Sequence, residues 1–510
     1  MTAAADEPIL EVRHRGLLTA TLMLTVVIQT LDITIANVAI PEMQGSLSAT
    51  QDQIAWVLTS YVVATAIMTP LTGYLAARLG RRRLFLIVII GFTLASMACG
   101  AAGSLSGIVL CRILQGAFGA FMAPLTQALM LDLYSLEDRA RMMGVFGIGV
   151  MIGPVLGPSM GSYLTDALSW RAVFYVNVPF GIVAVLGVLA YLPGGDRKER
   201  INFDVFGFAM LSLAIGALQV MLDHGETRDW FASPEIVAEL VLSGLALYLF
   251  IAHIVTARRP FLALAMFGDR NLTAGLILVT VFGATTLATM ALMPPFLATS
   301  LGYPTLDIGF AMIPRGLGTT LSFIVAGKVL NRVDARLLVV AGMGCVATSL
   351  WGMSGFDLMM DLGPILWTGV LQGFGLGLVF MTLSVVTFNT LGPDHRTDAA
   401  ALFTLLRNIG GSFGVAVVMS LLANETQASH AALAAYVTPY NRALQAAGHW
   451  SLATLNAEVT RQAGMIAFLN DFRLMTAVCL LSMPLVLLLR PPARSKAMKS
   501  APQPAGEQAS

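Results

Sequence analysis

The chain alternates between long apolar runs and short polar connections. Fourteen of the runs contain about 18 or more residues, and they lie near 17–40, 53–75, 84–103, 107–130, 142–164, 172–192, 205–222, 235–256, 272–299, 306–327, 337–354, 363–390, 400–422 and 474–489. At a rise of about 1.5 Å per residue, such a run forms a helix that can cross the hydrocarbon core of a bilayer. The pattern predicts an all-α membrane protein with about fourteen transmembrane helices.

Two sequence similarities divide these helices into equivalent halves. GYLAARLGRRRLFL after the second span resembles GKVLNRVDARLLVV after the tenth, and LQGAFGAF in the fourth span resembles LQGFGLGL in the twelfth. Such repeats are typical of secondary transporters, and they predict two six-helix halves with an inserted two-helix hairpin. The predicted regions are an N-terminal segment 1–16, a first half 17–192, a linker and hairpin 193–256, a second half 257–490 and a disordered tail 491–510. Within the second half, the polar segment 423–471 is predicted to form short helices on the outer face.

Composition and charge support this architecture. Of the 510 residues, 56% are hydrophobic and 12% are charged, whereas about 25% are charged in a typical soluble domain. Most of the 30 Lys and Arg residues lie in connections on one side of the membrane, so both termini are predicted to be cytoplasmic. A net charge of +1 argues against nucleic acid as a partner. The four cysteines have no CxxC spacing, and neither a metal site nor a disulfide framework is predicted.

A single acid interrupts the first apolar run. Asp32 lies about nine residues, or roughly 13 Å of helix, before Pro41 closes the run. An ionised carboxylate at this depth is costly unless it is paired, so Asp32 is a candidate functional residue. Arg112 in the fourth span lies at nearly the same depth, and we expect the two side chains to meet across a central cavity. The alternatives are an Asp32 that snorkels to the interface or caps a helix break, and an Arg112 that merely caps carbonyls of the previous helix.

The fifth span carries a stripe of glycines, two of which are followed by proline. In GVMIGPVLGPSMG these residues are Gly149, Gly153, Pro154, Gly157, Pro158 and Gly161. A helix face without side chains permits close packing, and proline removes a backbone donor, so this span is predicted to be both an interface and a bend. Static packing without a role in conformational change is the alternative.

Two further cations lie inside apolar runs, Arg315 in PRGLG and Arg407 in LLRNIGG. Each buried cation needs a partner that the sequence pattern does not identify, so a functional and a structural role stay equally open. No cluster of His, Asp and Cys residues converges at a predicted interface to perform chemistry. A membrane-embedded enzyme is therefore only a remote alternative.

Together these segments resemble the fourteen-span drug:proton antiporters of the major facilitator superfamily. The resemblance rests on LDITIANVAIP, GYLAARLGRRR, RILQGAFG, GPVLGPSMG and WRAVFYVNVPFG, which cover nearly the whole chain. HGETRDWF, IPRGLG, VTPYN and RQAGMIAFLNDF further resemble the EmrB branch of the EmrB/QacA subfamily. The resemblance implies the major facilitator fold.

By this resemblance Asp32 would be the proton site and Arg112 its modulator, and the stripe in the fifth span would be the antiporter motif. A cytoplasmic gating loop would be formed by Gly73, Arg78, Gly80 and Arg81. The chain departs from the family loop at Ala77, where an acid is usual, and Asn331 stands at the corresponding place in the second half. The resemblance therefore provides no charge clamp through that position.

The expected function is proton-coupled export of amphipathic, drug-like compounds by alternating access, in the inner (cytoplasmic) membrane. No GxxxxGK[ST] motif is present, so protons rather than ATP are the expected energy source and no cofactor is predicted. The alternative is a dedicated exporter of one natural compound, such as a fatty acid, a siderophore or a secondary metabolite. The resemblance also implies contacts with membrane lipid and with a periplasmic adaptor protein that leads to an outer-membrane channel.

Overall fold

The computed structural model describes residues 12–194, 203–257, 262, 264–330, 332–392, 395–438 and 451–490. Within these ranges the protein contains fourteen helices that are long and apolar enough to cross a membrane. The predicted all-helical, fourteen-span architecture is confirmed. Asn331, the tail 491–510 and most of the N-terminal segment 1–16 lie outside the described residues.

The fourteen helices follow the predicted runs closely, with larger differences only near the C-terminus. They are α1 Arg15–Val38, α2 Gln51–Leu79, α3 Arg81–Ala101, α4 Leu105–Leu133, α5 Arg141–Ala167, α6 Ala172–Tyr191, α7 Val205–His224, α8 Pro234–Thr256, α9 Arg270–Ser300, α10 Asp307–Val329, α11 Ala335–Met353, α12 Leu362–Asn389, α13 Arg396–Ala434 and α14 Leu452–Leu488.

Polar caps and one glycine define several helix boundaries. Thr50 and Gln53 form a reciprocal capping box at the start of α2, and Asp269 accepts a hydrogen bond from the backbone N–H of Leu272 at the start of α9. These side chains satisfy amide groups that have no partner inside the helix. Gly80 separates α2 from α3 at φ 80°, a conformation that a residue with a Cβ adopts only with strain.

The two halves use the same helix pairings. In the first half α1 packs on α5, and α4 packs on both α2 and α3; in the second half α9 packs on α13, and α12 packs on both α10 and α11. The repeated LQG sequence lies at one of these contacts in each half. A Cβ on Gly116 would collide with the carbonyl of Tyr61 in α2, and a Cβ on Gly373 would collide with the carbonyl of Arg315 in α10. The halves meet each other where α5 packs on α10 and where α2 and α4 pack on α13.

The inserted hairpin lies at the edge of the two halves. Its helices α7 and α8 pack on each other, and α7 also contacts α2 and α13. Two side-chain pairs attach α7: Gln219 donates to the Ser412 hydroxyl at 2.8 Å, and Thr59 bonds to Asp223. In α8 large apolar side chains such as Val241 and Tyr248 are exposed, as expected for a helix that faces lipid.

The outer segment 423–471 differs from the expected short helices. In its described part, α13 continues through Ala434 and α14 begins at Leu452, well before the predicted span near 474–489. The two ends lie side by side, because His430 contacts Asn456 at 3.1 Å and Asn470 donates to Glu425 at 2.8 Å. With 39 residues, α13 is far longer than the roughly 20 residues that a bilayer core requires. Hydropathy missed these extensions because they are polar.

Candidate functional site

Asp32 is completely buried inside the first half, between four helices. Its Oδ2 accepts a hydrogen bond from Arg112 Nη1 of α4 at 2.7 Å. Its Oδ1 accepts from Gln115 Nε2 of α4 and from Asn177 Nδ2 of α6, each at 2.7 Å. Three donors on two helices therefore surround one carboxylate of α1, which is the arrangement that a buried negative charge requires.

Arg112 has no exposed surface either, and its guanidinium is held on several sides. Besides the ion pair with Asp32, Nη1 donates to Gln115 Oε1 at 2.9 Å and Nε donates to the carbonyl of Val57 in α2 at 3.0 Å. Its Cζ lies 4.2 Å from the centroid of the Tyr61 ring, within the range of a cation–π contact. The expected acid pair is present. The carbonyl that Arg112 contacts belongs to α2 and not to α3, the helix that precedes α4 in the chain.

The structure differs from expectation in where the pair lies. We expected Asp32 and Arg112 to meet across a central cavity, but every hydrogen-bond partner described for them belongs to the first half and both residues are sealed from solvent. The side-chain amides of Gln115 and Asn177 fill the space beside the carboxylate, and the ion pair is therefore enclosed within the first half. Sequence reasoning missed Gln115 and Asn177. Gln115 follows Arg112 by three residues on one helix face, and this spacing was the available signal.

The glycine stripe of α5 packs directly against the turns of α1 that carry Asp32. A Cβ on Gly153 would collide with the backbone at Thr30 and Leu31, and one on Gly157 would collide with the hydroxyl of Thr34. Thr34 also donates to the carbonyl of Gly153 at 2.9 Å. Gly149 and Gly161 extend the same contact towards Met23 and Ile35.

The helix remains continuous through both prolines of the motif, Pro154 and Pro158. The side chain of Pro154 lies outside the described residues. The expected close interface on α5 is therefore present, and it touches the helix that carries the buried acid.

The fold and this site agree with the comparison against protein families. The family model for the Major Facilitator Superfamily matches residues 22–415. The chain belongs to the major facilitator superfamily. The fatty acid resistance protein FarB of Neisseria gonorrhoeae is 33% identical over 501 residues, which cover 96% of this chain and 99% of that protein. The multidrug export protein EmrB of Escherichia coli (strain K12) is 33% identical over 492 residues, covering 93% of this chain and 95% of that protein.

These relatives make the chain an EmrB-like member of the superfamily, and hence a multi-pass transporter of an efflux family rather than an enzyme. Solved structures show the same fold. The human organic anion transporter MFSD10 (TETRAN) matches with a TM-score of 0.59 at 15% identity, over 91% of this chain and 99% of that one. The proton:xylose symporter XylE matches with a TM-score of 0.58 at 12% identity, over 91% and 96% of the two chains.

The residues expected to form a gating loop lie at the junction of α2 and α3: Gly73 and Arg78 belong to the last turns of α2, and Arg81 begins α3. Gly73 is required because the Asp398 side chain of α13 occupies the space that a Cβ would fill. Arg78 donates to the Tyr74 hydroxyl at 2.6 Å, and Gly80 forms the turn before α3. Arg81 pairs with Asp132 at the end of α4.

A charge clamp is present although Ala77 provides no acid. Asp132 is 1% exposed and pairs with two arginines, Arg81 of α3 and Arg396 of α13, the latter at 2.6 Å. Arg396 belongs to the second half, so this pair joins the halves at the end of the bundle where the basic loop lies. Sequence reasoning missed Asp132, since a charge at the end of an apolar run is ordinary. We name the three residues Arg81, Asp132 and Arg396 the interhalf clamp.

Arg315 and Arg407 lie in the second half, away from the Asp32 site. Arg315 Nη2 donates to the carbonyl of Thr286 in α9 at 3.1 Å, and Arg407 Cζ lies 5.6 Å from the centroid of the Phe380 ring. Neither has a carboxylate partner among the ion pairs of the described residues.

Asp132→Asn should loosen the clamp, because it leaves two arginines on opposite halves without a shared negative charge. Met381 is completely buried and lies beside Gly144 of α5 and Gly327 of α10, where the halves meet. In a variant without the four native cysteines, Met381→Cys should react with a maleimide severalfold faster when Asp132→Asn is added.

The matched control is Asp138→Asn, which removes a nearby but exposed acid and should leave the labelling rate unchanged. Equal rates in the Asp132→Asn and Asp138→Asn proteins would show that the clamp does not hold the halves together.

Proposed function

We propose that the protein is a proton-coupled antiporter that exports amphipathic, drug-like compounds across the inner membrane by alternating access. The observation that carries this proposal is the buried Asp32–Arg112 ion pair, 2.7 Å long. It is a titratable pair inside the membrane domain of an efflux transporter, where unpaired charges are too costly to be retained without a role. The relationship to EmrB, a multidrug export protein, supports the substrate class.

Asp32 accepts three hydrogen bonds in this conformation, from Arg112, Gln115 and Asn177. These donors occupy three of the roughly four lone-pair positions of the carboxylate. Since Asp32 has no exposed surface, proton exchange requires the surrounding helices to shift. Protonation then weakens the attraction to Arg112 and releases α1 from α4. The protonation state of Asp32 is thereby coupled to the packing of α1 against α4.

The movement of α1 reaches the rest of the molecule through the glycine stripe. Because Gly153 and Gly157 bring the backbones of α1 and α5 into contact, a shift of α1 must displace α5. Helix α5 packs in turn on α10 of the second half. A proton bound at Asp32 therefore changes the interface between the halves, where the interhalf clamp must open for access from the predicted cytoplasmic side.

Protons are the proposed coupling ion, and no cofactor is proposed. A dedicated exporter of one natural compound is the second candidate. The relationship to FarB, a fatty acid resistance protein, favours a fatty acid in that role. The two candidates share the Asp32 mechanism and differ only in the range of substrates.

Asp32→Asn should insert normally in the membrane and lose export driven by a pH gradient. Asparagine retains the size and an acceptor for Arg112 but cannot titrate. In proteoliposomes with an imposed pH gradient, we expect uphill transport of a fluorescent substrate to fall to the background of empty vesicles. Downhill substrate movement without a gradient should continue.

Asp52→Asn is the matched control, since Asp52 is an exposed acid at the start of α2 and should transport at the wild-type rate. Uphill export by Asp32→Asn at the wild-type rate, with unchanged pH dependence, would place the coupling site elsewhere.

We also propose that a periplasmic adaptor protein, leading to an outer-membrane channel, docks on the projecting ends of α13 and α14. The basis is their length and their pairing through His430 and Asn456, which builds a polar two-helix projection from a transporter of otherwise short loops. Such a projection adds nothing to a path through the membrane core, but it offers a rigid surface to a partner outside it.

Shortening this projection should separate resistance from transport. Replacing residues 427–459 by a short Gly/Ser linker removes the tips of both helices, whose ends lie side by side, and leaves the Glu425–Asn470 contact. We expect the resistance of cells to fall to that of a strain without the protein, while transport in proteoliposomes is retained. Loss in both assays would make the projection part of the transporter's own fold.

A further inference from the structure

The second half contains a buried arginine with a free donor group. Arg315 is 9% exposed and lies about 12 Å of helix from the first residue of α10. Its Nη2 donates to the Thr286 carbonyl, but its Nη1 is buried without a hydrogen-bond partner. The hydroxyl of Thr286 on the facing turn of α9 is also buried and unpaired. Both groups can donate a hydrogen bond to an oxygen placed between the two helices.

Arg407 flanks the same part of α9. A Cβ on Gly283 would collide with the carbonyl of Arg407, and Gly283 precedes Thr286 by three residues, about 4.5 Å along the helix. The guanidinium of Arg407 lies over the ring of Phe380. Arg315 touches this stretch of α9 with its guanidinium and Arg407 packs on it with its backbone carbonyl, so both residues lie beside adjacent turns of one helix.

Neither cation has a carboxylate partner among the ion pairs of the described residues. Helices α9, α11 and α12 contain neither Asp nor Glu, and the acids of α10 and α13 lie near the helix ends: Asp307, Asp398 and Glu425. Helix α14 carries one buried acid, Asp471, whose Oδ2 has no hydrogen-bond partner. The repeated LQG sequence aligns Arg112 of α4 with Gly369 of α12. The first half pairs its buried arginine with Asp32, whereas the two arginines of the second half make no such pair within the described residues.

An apolar surface adjoins the two cations. The ring of Phe380 stacks on Phe282 of α9, with centroids 5.8 Å apart, and on Phe146 of α5 in the first half, with centroids 6.4 Å apart. These rings lie where the halves meet, so separation of the halves would expose them beside Arg407. A ligand there would contact cations at one end and aromatic rings at the other.

We infer that Arg315, Arg407 and Thr286 form a binding site for the carboxylate of an anionic amphipathic substrate, whose apolar body packs on Phe146, Phe282 and Phe380. The inference rests on the proposed export function and specifies its substrate class. The substrate carboxylate supplies the negative partner that these two arginines lack among the described ion pairs. Its hydrogen bonds to two guanidinium groups are charge-assisted, and these are the strong ones in a dry site.

The test compares three ligands that share one apolar body: 1-pyrenebutanoate, 1-pyrenebutanol and 1-pyrenebutylamine. Binding to the full-length protein in nanodiscs is measured by fluorescence anisotropy, with empty nanodiscs as background. The wild type should bind the carboxylate about tenfold or more tighter than the alcohol, and the amine most weakly. Arg315→Gln and Arg407→Gln should each remove most of the carboxylate preference and leave the affinity for the alcohol unchanged, which also shows that the variant is folded.

Arg228→Gln, which removes an exposed arginine in the hairpin, is the charge-matched control and should retain the carboxylate preference. Arg315→Lys, which keeps the positive charge, should retain part of it. Equal wild-type affinity for carboxylate and alcohol, or a full preference in the Arg315→Gln and Arg407→Gln proteins, would overturn the site. Neither result bears on proton coupling, because the binding assay in nanodiscs includes no pH gradient. Conversely, an Asp32→Asn protein that still exports uphill would refute the proposed coupling without changing these affinities.

Discussion

A carboxylate inside a membrane domain must be surrounded by donors, and the first half is arranged around this requirement. Moving a charge from water into a medium of low dielectric costs several kcal/mol even after relaxation. At Asp32 this cost is offset by hydrogen bonds from one cation and two amides, which α4 and α6 contribute. Those donors fix how α1, α4 and α6 sit relative to one another, so the charge state of one side chain and the packing of three helices are linked.

The remaining architecture transmits this linkage because it is built from close backbone contacts. Gly153 and Gly157 on α5, Gly116 on α4 and Gly373 on α12 each leave no room for a Cβ. Helices that touch through their backbones have few side chains that can repack to absorb a displacement, so they move as units. At the predicted cytoplasmic end the halves are joined instead by charges, through Asp132 and its two arginines. Such ion pairs can break and reform when water enters.

Much of this could be predicted from the sequence, since hydropathy and helix length determine the spans. The fourteen runs, the repeat and the Asp32–Arg112 pair all follow from charges or periodicities that stand out against an apolar background. Gln115 and Asn177 were missed because a neutral amide in a span is a weak signal. The clamp was missed because Arg396 lies far from Asp132 in sequence, and only the tertiary fold brings them together. The helix extensions at 423–434 and 452–471 were missed because a hydropathy pattern identifies apolar spans and does not detect polar continuations of the same helices.

The central claim is that protonation of Asp32 is coupled to transport, and proton release on substrate binding tests it most directly. Purified protein in weakly buffered detergent solution is mixed with substrate, and the pH change is followed with a soluble indicator. The wild type should release protons in a saturable, substrate-dependent manner, and the Asp32→Asn protein should bind substrate without releasing them. Equal proton release from both proteins would contradict the account.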